Sequence, residues 1–184
     1  MSTPRTPEPG KLVVSIIFRS ESEGEKTEQV EKCLAELKNK FGDVDCESRV
    51  SEFTRTTYYY KEMGKPLFRV FVSFGKPVAR DRLAEIKHLT NAIEKRFADS
   101  DGKRCLNIDP GLLTLENLVL ASGKNFTHRI YLRDGIFAET TLLFQNKRFN
   151  DLPWTYPDYG SAEVKEMLGT MRNKLIRALK ASSQ

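Results

Sequence analysis

His128 and Glu139 are the two side chains in this sequence best suited, by type and spacing, to proton transfer. They flank Asp134-Gly135, a dipeptide favoured in two-residue type I′ loops, between the alternating runs 128–132 and 136–144. A regular hairpin about that loop sets Leu132 opposite Phe137, Ile130 opposite Glu139 and His128 opposite Thr141. His128 and Glu139 then become diagonal neighbours on one face. A carboxylate beside an imidazole fixes its tautomer and raises its basicity, as a general acid or base requires. The same pair serves equally well as a cross-strand tie. Regular alternation sends Arg129 to the opposite face with Tyr131, so it joins the unit only where a pocket wraps the sheet edge.

Other groups lie close by in sequence. Trp154-Thr155-Tyr156-Pro157-Asp158-Tyr159 crowds aromatic rings onto a proline-containing connection. Trp154, Tyr156 and Tyr159 can wall a pocket or pin the segment to the core, and Asp158 can orient a ligand hydroxyl or His128. Ser122-Gly123-Lys124-Asn125 is a polar turn in which Lys124 can neutralise a phosphate or carboxylate. It is not a nucleotide-binding P-loop, because Leu118 stands where the first glycine belongs and Asn125 follows the lysine. Asn107, Asp109 and Glu116 offer oxygen atoms to a ligand, but their spacing matches no calcium loop. Asp109 is also explained as the first residue of an Asp-Pro-Gly turn. Two histidines and three cysteines show no close pair at zinc spacing, so no metal is expected, and no motif names a cofactor.

These residues need a scaffold. Residues 11–18 (KLVVSIIF) read as a buried strand. A helix from Thr27 carries Val30, Cys33, Leu34, Leu37 and Phe41 on one stripe and stops at Gly42. A weaker strand over 44–53 and a stronger one over 67–74 follow. The latter puts Phe68, Val70, Val72 and Phe74 on one face, with Arg69 and Ser73 on the other. A second helix over 80–97 buries Leu83, Ile86, Leu89, Ile93 and Phe97 and leaves His88 in water. A fourth strand spans 103–108 and ends at Asp109-Pro110-Gly111. The fold class is α+β: a ferredoxin-like β-α-β-β-α-β core extended by the hairpin and a C-terminal helix over 161–179. Residues 1–10 read as a disordered tail before one domain spanning 11–184.

Composition narrows the function classes. The apolar runs fall far short of the roughly 20 residues of a membrane helix, and the start lacks the pattern of a secretory signal. Three widely spaced cysteines suit free thiols in a reducing compartment, so a cytoplasmic location is expected. Residues 61–104 carry 11 basic against 6 acidic side chains, a bias that attracts an anionic metabolite or nucleic acid or simply forms a solvated face. Phe71-Val72-Ser73-Phe74 echoes the aromatic strand of an RNA-recognition module, although the preceding glycine is missing. Tyr58-Tyr59-Tyr60 cannot form one stacking platform in a strand, where neighbours alternate faces.

Several ordered segments carry a family resemblance: Tyr59–Gly64, Phe71–Phe74, Asn107–Gly111, Leu118–Lys124, His128–Leu132 and Trp154–Tyr159. Together they resemble the bacterial and archaeal family known as domain of unknown function 4416, over nearly the whole chain after residue 10. The resemblance implies a compact prokaryotic protein and no substrate. From the residues themselves, the expectation is a protein that binds a small anionic or nucleotide-like ligand. Lys124 and Arg129 would neutralise the ligand, and His128 would act on it with Glu139 or Asp158. An RNA-binding module and a non-catalytic interaction domain remain open as alternatives.

Overall fold

The computed structural model describes residues 2–54 and 56–182. Strand β1 (Lys11–Arg19) is buried along all but its last residue. Helix α1 (Glu28–Phe41) is capped by the Thr27 hydroxyl, which accepts the Val30 N–H at 3.4 Å, and Gly42 at φ 86° ends it. Its buried residues are the five of the expected stripe. The 44–53 stretch forms two short strands, β2 (Val44–Glu47) and β3 (Ser51–Glu52), on one edge of β4. Next come the single-turn helix α2 (Tyr60–Met63), strand β4 (Leu67–Phe74) and helix α3 (Leu83–Arg96). Strands β5 (Leu106–Leu113), β6 (Asn117–Ser122), β7 (Ile130–Arg133), β8 (Ile136–Gln145) and β9 (Arg148–Asp151) lead to helix α4 (Ala162–Ser182).

The strands make one sheet of order β2-β4-β1-β5-β6-β8-β7, with β3 beside β4 and β9 beside β8. Every described pairing between them is antiparallel. Helices α1 and α3 cover one face through Val14, Ile16, Val70, Val72 and Ile108. Helix α4 covers part of the other, where Leu168 and Met171 meet Val13, Phe71, Leu113 and Leu142. The class is α+β, with helices on both faces of an open antiparallel sheet. No helix among the described residues is long and apolar enough to cross a membrane.

Asp109-Pro110-Gly111 does not turn the chain. Strand β5 runs through it, pairing with β1 from Leu106 to Leu113. On its other side β5 meets β6 only at Gly111, Leu112 and Leu113. The remaining edge is therefore open, and its backbone groups need other partners. Glu94 of α3 accepts the Ile108 N–H, and Lys87 Nζ donates to the Ile108 carbonyl at 3.0 Å. Alternation aims the nitrogen of residue 110 at the same edge, and proline has no N–H to strand there. The glycine serves close approach: a Cβ at Gly111 would stand 2.6 Å from Leu120 Cδ2 and 3.0 Å from the Val119 carbonyl oxygen.

The hairpin also departs from its expected register. Asp134 (φ 53°) and Gly135 (φ 76°) both adopt the left-handed region that the type I′ turn requires. Arg133 then faces Ile136, but Leu132 is accommodated as a bulge, and Tyr131 faces Phe137 and Ile130 faces Ala138. The strand stops at Ile130, so His128 and Arg129 lie in the turn before it, where the Arg129 N–H bonds the Phe126 carbonyl at 3.0 Å.

The split predicts an asymmetry between neighbouring residues. Gly111→Ala should lower unfolding free energy by about 1–3 kcal/mol through overpacking against Leu120. Pro110→Ala, which only adds an N–H at the open edge, should cost less. Urea unfolding of both variants checks this, and a neutral Gly111→Ala would contradict the close approach.

Candidate functional site

Where β6 leaves β5, the two halves of the sheet enclose a cavity of about 590 Å³. Helix α3 contributes Lys87, Asn91 and Glu94 to its wall, and β4 and β5 contribute Arg69, Asn107 and Asp109. Glu139 of β8, the 120–124 segment and Arg129 line the far side, while Tyr58, Tyr59 and the 156–159 segment close over the remainder. Eight expected residues thus share one cavity: Asn107, Asp109, Lys124, Arg129, Glu139, Tyr156, Asp158 and Tyr159. His128 and Trp154 do not line it.

The His128–Glu139 pair forms, though by a different route from a regular hairpin. His128 Nε2 lies 3.0 Å from Glu139 Oε2, and Arg129 Nε donates to the same oxygen at 2.8 Å. The turn before β7 brings both side chains to one carboxylate, so Arg129 belongs to the unit and not to the opposite face. Arg129 also donates to the Tyr156 hydroxyl at 2.9 Å and to the Lys124 carbonyl at 2.9 Å. Trp154 stacks on His128 with ring centres 4.7 Å apart and planes 7° apart, and its indole N–H donates to the Thr140 carbonyl at 2.8 Å. Phe126 meets the imidazole edge-on. Trp154 is therefore the clamp on His128, which stands behind Glu139 as seen from the cavity. Glu139 is only 2% exposed, and among the described residues its Oε1 has no hydrogen-bond donor.

The opposite end is built around Arg69, which strand alternation alone sets only on a face. Its guanidinium is packed against the rings of Phe53, Phe71 and Tyr159, with the Phe53 centre 4.3 Å away. Burial pulls its pKa below the usual arginine value, partly offset by Tyr159 and Asp109. Asp158, expected to orient a ligand hydroxyl or His128, lies in the cavity wall in contact with Arg69. Among the described residues Arg69 Nε finds no acceptor, and Nη1, though in contact with Asp158, makes no well-formed hydrogen bond. Tyr159 is core, wedged edge-on against Phe71, and burial raises its pKa. Tyr156 is half-exposed, and burial likewise raises its hydroxyl pKa, with the Glu139 charge adding to this.

Between these ends runs a charged chain. Arg104 Nη1 donates to Asn107 Oδ1 at 2.5 Å, Asn107 Nδ2 to Asp109 Oδ2 at 2.6 Å, and Lys87 Nζ to Asp109 Oδ1 at 3.0 Å. For Asp109, burial pushes the pKa up, but the Lys87 charge and the bonds from Lys87 and Asn107 outweigh it and hold the carboxyl below its usual value. Glu94 goes the other way, raised by burial. Glu116, grouped with Asn107 and Asp109 as a possible oxygen ligand, instead pairs with Arg80 at 3.2 Å. No cluster of three or more metal-ligating side chains occurs among the described residues. Lys124 reaches Tyr58 across the mouth, with Nζ 2.8 Å from the hydroxyl. Tyr58 and Tyr59 sit in a turn and not a strand, which lets both rings face the cavity.

The model of one protein family, Domain of unknown function (DUF4416), matches residues 8–175. The chain belongs to this family. No curated protein and no solved structure matches it. DUF4416 brings no activity with it, so the role of each residue rests on geometry. The signals for the missed residues were present: Arg69 is the one charged residue in a strand that is apolar but for Ser73, and Lys87 falls one turn after Leu83 on the buried side of α3. Phe71 and Phe74 are both buried, so the strand that echoed an RNA-recognition module has no exposed stacking platform.

Asp109 gives the site a pH signature. Because its folded pKa is depressed, its stabilisation is present above the unfolded value near 4 and is lost as pH falls through the folded one. Its side chain is 31% exposed to the cavity, so screening limits the effect to on the order of 1 kcal/mol. Asp109→Asn should therefore be less stable than the parent at pH 7, with the gap closing toward pH 2–3. Urea unfolding across that range checks it; a gap that widens in acid would contradict the assignment.

Proposed function

We propose that the cavity binds a small anionic ligand, a phosphorylated or nucleotide-like metabolite. One observation carries the reading: a cavity of ligand size whose wall holds Arg69, Lys87, Arg104, Lys124 and Arg129, with Arg69 buried and its Nε lacking an acceptor among the described residues. A buried guanidinium short of an acceptor is costly unless something fills the vacancy, and an anion does so best. Glu139 is the acid–base group of this reading, and His128 and Arg129 are positioning residues that orient it. The order β2-β4-β1-β5, antiparallel throughout, supports a ferredoxin-like unit as the frame. Three free cysteines support a reducing, cytoplasmic setting.

Thermal-shift and calorimetric titration with inorganic phosphate, pyrophosphate, sugar phosphates and nucleotides tests the reading. At least one should stabilise the parent, and Lys124→Gln should weaken its binding about fivefold or more, the loss of one charge-assisted contact. A panel that gives no binding, or Lys124→Gln and Arg104→Gln variants that bind as the parent does, would reject it.

A second reading, an interaction surface for another copy of the chain, is favoured by strand β7. It ends the sheet and exposes Ile130 (70%), Tyr131 and Leu132 beside Phe126. Sedimentation of the parent and Ile130→Lys tests it: self-association abolished in the variant supports it, and a monomeric parent removes it.

A further inference from the structure

Two buried charged groups on the cavity wall have opposite deficits. Among the described residues Arg69, 7% exposed, lacks an acceptor at Nε, and Glu139, 2% exposed, lacks a donor at Oε1. Sheet pairing places them on a common face. Arg69 is level with Ile17 and, through it, with Asn107. Glu139 is level with Leu120 and, through it, with Gly111. They stand four strand positions apart, β4 to β8, and Asn107 and Gly111 are four residues apart along β5, so the two positions lie about 19 Å apart across the sheet and about 13 Å along it before the side chains reach inward. A single simple anion cannot answer both groups. An anion at Glu139 would meet a carboxylate oxygen, and a cation at Arg69 would meet a guanidinium.

Building on the anion reading above, we propose that the ligand is two-ended. An anionic group is directed toward Arg69, and an N–H or O–H donor is presented to Glu139 Oε1. Leu120, Ala121 and Pro157 supply apolar wall to the same cavity, which Tyr59 and Tyr156 also line. A nucleoside monophosphate has this layout, with its phosphate at one end, a planar ring in the middle and a ring or exocyclic N–H at the other. Glu139 is held for the task. His128 and Arg129 both bond Oε2, so the carboxylate cannot rotate freely, and Oε1 is the oxygen left for the ligand.

The substitution Glu139→Gln separates the two ends. The glutamine oxygen can keep accepting from Arg129 and His128, which turns the amide NH₂ toward the ligand and sets donor against donor. Calorimetric titration of both proteins would use the four common nucleoside monophosphates, their nucleosides and ribose 5-phosphate. At least one nucleotide should bind the parent about tenfold or more tightly than ribose 5-phosphate or its own nucleoside, as loss of either end removes a charged hydrogen bond. Glu139→Gln should lower that nucleotide's affinity by a similar factor and leave ribose 5-phosphate unchanged, which also controls for folding of the variant. If nucleotide and ribose 5-phosphate bind alike in the parent, or if Glu139→Gln binds the nucleotide as the parent does, the two-ended ligand is overturned while the anion reading stands. If nothing in this panel binds, the two-ended ligand is overturned, and if inorganic phosphate and pyrophosphate also fail to bind, the anion reading falls with it.

Discussion

Lys87 and Glu94 of α3 do for strand β5 what a neighbouring strand does elsewhere in the sheet. One donates to the carbonyl of Ile108 and the other accepts its N–H, so β5 can run on for several residues after β6 has left it. Without them the open edge would carry unpaired backbone groups at its centre, each costing about 1–3 kcal/mol. Pro110 removes a further donor from that edge, and Gly111 lets β6 approach closely before it departs. The cavity is the space these substitutions leave. Its position at a split in the sheet explains why groups from both faces meet there.

The charges in that space are arranged so that none is wholly isolated and two are incompletely answered. Lys87 has a carboxylate and a carbonyl, Asp109 has Lys87 and Asn107, and Arg104 has Asn107. Such networks stabilise little in net terms, because desolvation cancels much of the attraction, but they fix geometry. Arg69 and Glu139 are the exceptions. Each is anchored, by aromatic rings and Asp158 in one case and by Arg129 and His128 in the other, and among the described residues neither has all its polar atoms hydrogen-bonded. Anchored groups with an open valence suit ligand recognition better than stability.

Much of this was legible from residue patterns. Periodicity located β1, α1, β4 and α3 because each buries a continuous stripe, and Asp134-Gly135 marked its turn because both residue types tolerate the left-handed backbone that a type I′ loop needs. Asp109-Pro110-Gly111 misled, since the same residues that make turns also suit a strand losing its neighbour. The His128–Glu139 pairing was anticipated from a register that the Leu132 bulge breaks; it forms because the turn at 126–129 carries His128 and Arg129 back to the same carboxylate. Arg69, Lys87 and Glu94 lie far from that hairpin in sequence. Only the sheet order brings them beside it, and no local pattern encodes a contact between strands so distant along the chain.

In the proposed function the split-sheet cavity receives an anion at Arg69. Its most direct test is the side-chain Nε–H resonance of Arg69 in a nitrogen–proton correlation spectrum, followed while a phosphate-bearing ligand is titrated in. A hydrogen bond to Nε should move that signal progressively and saturably, together with the backbone amides of Ile108 and Asp109. Saturable binding that leaves the Arg69 signal in place and shifts instead the exposed end of α3 around Lys95 and Arg96 would contradict the account.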